Sequence, residues 1–143
     1  MARFVKTFQA SRLTDQVVGV TTYPGLISQV NTFLATLVNP TIRFLNFVVQ
    51  HPDKRIGEEY MVELSYTDGG AALGTPFTFR VDLANSLLEV EQTTQAYFVA
   101  NPAVFASGVR FSCLDQDNNR LARFWNWYIV NATGGASANF LPL

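Results

Sequence analysis

Charge is scarce in this chain. Of 143 residues, ten are Lys or Arg and eleven are Asp or Glu, a 15% share where about 25% is usual. The formal net charge of −1 provides no clustered positive field, so nucleic acid and anionic lipid are not expected partners. Cysteine is scarcer still. Cys113 stands alone, which excludes an internal disulfide, and with His51 as the one histidine no Cys/His set at zinc spacing can be assembled. Apolar runs are interrupted by Asn, Pro or Thr well before the roughly 18 residues that a membrane helix needs. A basic start leading into an apolar run and a cleavage site is missing, so no Sec signal is expected and folding in a cytoplasm is.

The usual catalytic patterns are missing too. There is no G-x-S-x-G, no G-x-x-x-x-G-K and no G-x-G-x-x-G. His51 sits beside Pro52 and Asp53 and reads as a turn residue. Cys113 falls within an apolar strand and has no basic neighbour to activate it. Asp115, Asp117 and Asn119 imitate the start of a calcium loop, but Gly at position six and Glu at position twelve are required, and Arg120 and Asn126 stand there. Glu58, Glu59, Glu63, Glu89 and Glu91 read as solvated faces and not as an acid–base pair. Asn131-Ala-Thr fits a glycosylation sequon, which carries no weight without secretion. The expectation is a protein without catalytic residues, cofactor or metal.

What is abundant is apolar: 48% hydrophobic and 13% aromatic residues. A single domain spanning 1–143 is expected, burying roughly 70% of its unfolded surface. Arg3 to Phe8 alternates as a strand. Gln9 to Thr22 reads as a loop or short edge strand. Pro24 opens a helix, where its missing N–H costs nothing, and Leu26, Ile27, Val30, Phe33, Leu34 and Leu37 form its apolar stripe. Asn39–Pro40 ends it. Thr41 to Gln50 and Glu58 to Tyr66 read as strands. After the Gly-rich connector 67–76 the order recurs: Phe77, Phe79 and Val81 on a strand, then a helix opened by Ser86 and Glu89 at capping-box spacing and carrying Leu87, Val90, Tyr97 and Phe98. Asn101–Pro102 ends that helix, 62 positions after Asn39–Pro40. Val104 to Leu114, with a bulge at Gly108, and Arg120 to Val130 supply two more strands. The pattern predicts an α+β fold: an antiparallel or mixed sheet of about six strands with two helices on one face. It is built from two pseudo-repeated strand-helix-strand-strand halves, about 1–68 and 75–131, followed by an apolar tail, 132–143.

The stretch RFWNWYIV, Arg123 to Val130, departs from simple alternation. Trp125, Trp127 and Ile129 share one face, and Phe124, Asn126, Tyr128 and Val130 the other. A strand with one wet face should be polar on that face, so both faces need cover. One reading is a central strand buried twice within the domain. The other gives one face to a partner chain, Trp and Tyr being favoured interface anchors. With so few charges, the second reading points to a non-enzymatic structural subunit of a homo-oligomer or larger assembly, such as a virion cement protein or small tail or connector protein. Its partners would be further copies or another structural chain. The expected interface residues are Phe4, Trp125, Trp127, Tyr128 and, in the tail behind Gly134–Gly135, Phe140, Leu141 and Leu143, with Met1 to Phe4 as a second arm. The competing function is a binding module that uses the aromatic sheet face for a ligand or single-stranded nucleic acid.

Overall fold

The computed structural model describes residues 2–18, 21–38, 40–53, 57–69, 77–102, 105–114 and 123–131. The chain runs β1 (Arg3–Ala10), β2 (Gln16–Val18), β3 (Thr21–Tyr23), α1 (Leu26–Leu34), β4 (Pro40–Asp53), β5 (Gly57–Asp68), β6 (Phe77–Ala84), α2 (Leu87–Ala100), β7 (Phe105–Leu114) and β8 (Arg123–Asn131). The class is α+β with two helices and antiparallel sheets. The six long strands do not join into one sheet, however. They split into β1-β5-β4 and β6-β8-β7, with β2-β3 as a separate ribbon. The physical reason lies in β8, where all six residues from Trp125 to Val130 are buried. One broad sheet with helices on a single face would leave half of that strand wet; stacking a second sheet covers it.

The stacking is visible ring by ring. On β4 and β5, Leu45, Phe47, Tyr60, Val62 and Leu64 face inward and are buried. Phe79, Trp125 and Trp127 of the other sheet meet them, with the Phe47 ring 5.8 Å from Trp125 and 6.3 Å from Phe79. Tyr60 meets Trp125 edge-on at 5.6 Å. The opposite face of β6 and β8 is covered by α2. One buried cluster draws on both halves of the chain.

Helix α1 serves both sheets. Leu26, Val30 and Leu34, four apart, are buried, while Ile27 and Phe33 pack at the margin of the core. The helix starts later than Pro24. Gly25 is its N-cap, with a β-region φ of −78°, so glycine is required for space and not for conformation. A Cβ there would collide with the carbonyl carbon and oxygen of Thr14. That close approach lets segment 12–15 satisfy the free helix-start donors: Leu26 N–H donates to Arg12 O at 2.8 Å, Ile27 N–H to Leu13 O at 2.9 Å, and Gly25 N–H to Asp15 Oδ1 at 2.8 Å. On the other flank, Asn31 reaches the outer edge of β6. Its Nδ2 donates to Phe79 O at 3.2 Å and its Oδ1 accepts from Phe79 N–H at 2.6 Å. The carboxamide thus stands in for a missing neighbour strand.

Other elements refine the sequence expectations. The segment Gln9 to Thr22 contributes β2 to a short hairpin with β3. His51 and Pro52 lie within β4, at a register shift between Gln50 and Asp53, where a strand tolerates proline. The register of β7 slips between Ser107 and Arg110, around Gly108. At the start of α2, Glu89 N–H donates to Ser86 Oγ at 3.1 Å. The returning Glu89 carboxylate accepts from Asn85 N–H at 3.3 Å, one residue earlier than the usual box. Leu87 is not on the inner side of α2 but 53% exposed; Val90 and Thr94 are the buried positions. Residues 70–76 of the connector and Asp115, Asp117 and Asn119 lie outside the described residues.

Two substitutions test these contacts. Gly25→Ala is expected to lower stability by about 1–3 kcal/mol, because backbone and not a movable side chain blocks the new methyl; urea unfolding measures it. Asn31→Ala is expected to cost a similar amount, about 1–3 kcal/mol, by stripping the partners from a strand-edge donor and acceptor. Hydrogen exchange should then show Phe79 N–H losing protection before its neighbours on β6.

Candidate functional site

The richest polar cluster lies between α2 and the outer side of the second sheet. Antiparallel pairing of β6 with β8 sets Asp82 opposite Asn126 and Arg80 opposite Tyr128, so the four side chains share one face. Thr94, buried on α2, closes the cluster from above. Tyr128 OH donates to Asp82 Oδ2 at 2.7 Å, and Thr94 Oγ1 donates to the same oxygen at 2.9 Å. Asn126 Nδ2 donates to Thr94 Oγ1 at 2.8 Å. Arg80 Nε donates to the Tyr128 oxygen at 3.2 Å, and its Nη2 stands 3.6 Å from Asp82 Oδ1. The guanidinium lies 3.7 Å from the centre of the Tyr97 ring, a cation–π contact.

The electrostatics follow from burial. Tyr128 is fully buried, and desolvation, reinforced by the bond to the Asp82 carboxylate, pushes its phenol well above the ordinary tyrosine range. Burial works against the Arg80 charge, but the bond to Tyr128 and the neighbouring Tyr128, Asp82 and Tyr97 outweigh it and raise the guanidinium further. Asp82 is thus a carboxylate whose oxygens are engaged by a phenol, a hydroxyl and a guanidinium. Chemically the cluster is a lock: its donors and acceptors consume one another and hold α2 to the sheet. Among the described residues three buried polar side-chain atoms have no hydrogen-bond partner: Arg12 Nε, Asn126 Oδ1 and Trp125 Nε1. The last two belong to opposite faces of β8, so no single ligand would serve both.

The expected interface residues are distributed differently. Trp125 and Trp127 are packed between the two sheets, and Tyr128 lies beneath α2, at 1%, 5% and 0% exposure. This corrects the expectation that they anchor a partner: their apolar surface is already used within one chain. The same burial keeps these three rings off an open sheet face. Phe4 is 46% exposed and stacks on Tyr66 at 5.5 Å. Phe140, Leu141 and Leu143 lie outside the described residues. The polar lock itself escaped the sequence reading, although an Asn between two tryptophans on a buried strand was a usable signal: it needs a buried partner.

Among the described residues no group of three or more His, Cys, Asp or Glu is placed to hold a metal ion, and no helix is long and apolar enough to cross a membrane. No family model, curated protein or solved structure matches this chain.

The raised phenol predicts a specific alkaline behaviour. Up to about pH 10, the ordinary tyrosine value, Tyr128 keeps its proton folded or unfolded, and its contribution is complete. At higher pH the unfolded chain releases that proton while the folded one retains it, so stability falls. Tyr128→Phe is expected to be less stable at neutral pH by about 1–2 kcal/mol. Urea titrations between about pH 9 and 12 should show a shallower decline for the variant than for the parent.

Proposed function

We propose that the chain is a non-enzymatic structural subunit of a homo-oligomeric or larger assembly, the best fit being a virion component such as a cement protein or small tail or connector protein. The observation that carries this reading is where apolar side chains remain exposed after the core is built. Phe4, Val5 and Phe44 stand out from the first sheet, and Leu83, Leu87, Leu88 and Val99 from α2 and its approach, all at least 42% exposed. In a chain with so few charges, such surface favours association with other protein. The polar lock supports the non-enzymatic part of the reading, because its groups are turned toward each other and not toward a cleft.

The same reading treats the two halves as structural equivalents. In β1-β5-β4 and in β6-β8-β7 alike, the first strand of the half pairs with its last strand, which in turn pairs with the strand after the helix, while the first half inserts β2 and β3 before its helix. Both first strands have eight residues.

Size-exclusion chromatography with light scattering tests the assembly reading. At about 100 μM the expected mass is a multiple of the 15.9 kDa chain, falling toward one chain on dilution. A constant 15.9 kDa across that range would overturn self-assembly.

A further inference from the structure

The first strands of the two sheets leave their outer edges in different states. Along β6 the outward backbone pair of Phe79 is bonded by the Asn31 carboxamide. Strand β1 is also an edge, pairing among the described residues with β5 alone. Helix α1 reaches it at one place, where Gln29 Nε2 donates to Gln9 O at 3.2 Å. Backbone direction alternates along a strand. A Gln9 carbonyl turned away from β5 therefore sets the N–H and C=O of Arg3, Val5 and Thr7 outward as well, and those of Phe4 and Lys6 toward β5. Arg3 to Thr7 are five consecutive exposed residues, and the buried Phe8 follows. The edge is thus guarded in its second half by Gln29 and open in its first.

An open edge recognises an extended strand, because its unpaired donors and acceptors repeat at strand spacing. The side chains select a second β1 as that strand, in one register. An antiparallel pair centred on Lys6 would set two ammoniums directly opposite one another, which destabilises. Centring on Thr7 would draw Gln9, already held by Gln29, into the ladder. Centring on Val5 uses the whole exposed run: Arg3 falls opposite Thr7, Phe4 opposite Lys6, and Val5 opposite its own counterpart. Val5, 71% exposed in the single chain, is then covered by an identical side chain. The Lys6 ammonium already lies 5.9 Å from the centre of the Phe8 ring and 5.5 Å from that of Phe33. On that same side of the sheet it gains the ring of the other copy's Phe4, which is 46% exposed, as a further cation–π partner. No like charges oppose each other.

Building on the assembly reading, we propose that two copies of this chain join β1 to β1, antiparallel and centred on Val5, merging their first sheets into one of six strands. Such a contact is isologous and closes as a two-fold dimer. Gln29 limits its length, since the strand beyond Thr7 is already engaged by α1.

Backbone amides report the contact directly. In hydrogen exchange at about 100 μM, the N–H groups of Arg3, Val5 and Thr7 should be protected, and on dilution to about 1 μM they should lose that protection. Those of Phe4 and Lys6, bonded to β5, should be protected at both concentrations. Val5→Pro removes the central donor of each copy, while the chain itself makes no use of an outward N–H on an edge strand. It should weaken dimerisation about 10- to 100-fold by light scattering. Circular dichroism and melting check folding, and Val5→Lys, which sets two ammoniums on the axis, replaces a proline variant that does not fold. If Val5 protection is independent of concentration in a chain that does assemble, or if the folded Val5 variant assembles like the parent, the edge pairing is wrong while the assembly reading stands. A parent chain that is itself a monomer overturns both.

Discussion

A strand that is apolar on both sides has to be an inner layer, and β8 imposes that requirement on everything else. Six consecutive buried residues, Trp125 to Val130, need one cover over the tryptophans and another over Tyr128 and Val130. The first sheet with α1 supplies the former and α2 the latter. Large buried side chains stabilise by roughly 1.5–3 kcal/mol each, so the ring cluster of Phe47, Tyr60, Phe79, Trp125 and Trp127 accounts for much of the force that joins the two halves. The order of layers is a consequence of satisfying one strand.

The two covers work by different means. The side toward the first sheet is nearly all hydrocarbon and aromatic, and tolerates an orphaned indole N–H at Trp125. The side toward α2 is held by polar groups. Helix α2 has only Val90 and Thr94 buried, with the Tyr97 and Phe98 rings against Tyr128 beside them, a narrow stripe to fix its rotation by packing alone. Asp82, Thr94, Asn126 and Tyr128 fix it instead, since a buried carboxylate and phenol must find their partners or bear the full desolvation cost. Nonspecific burial holds the sheets together, and directional bonds set the register of the helix.

Much of the local structure was legible in the sequence, because it depends on neighbours along the chain. The stripe from Leu26 to Leu34, the Ser86–Glu89 pairing and the irregularity at Gly108 follow from spacing and residue type. The alternation of Trp125 with Asn126 also revealed that β8 needed two covers. What could not be read was who supplies them. Trp127 against Phe47 is a contact between residues 80 positions apart, and nothing local distinguishes a covering sheet of the same chain from one of another copy. The helix start was misplaced for a similar reason: Pro24 is a good opening residue, but the Asp15 side chain holds Gly25 N–H and the carbonyls of Arg12 and Leu13 hold the next two, a close approach invisible in the helix's own composition. Of the lock, Tyr128 and Asn126 were visible as residues of a strand needing two covers but not as bonded groups; Asp82 and Thr94 look like ordinary surface positions until β6 and α2 are folded over β8.

Helix α1 also bears on how the molecule comes apart. Its buried leucines belong to the shared cluster, and its Asn31 is bonded to the backbone of the other half. Neither sheet can shed it and keep a closed interior. Opening either half therefore exposes the core of both, so the described strands of the two sheets are expected to lose protection together. Proteolysis within those strands would then follow the stability of the joined pair and not that of the weaker sheet.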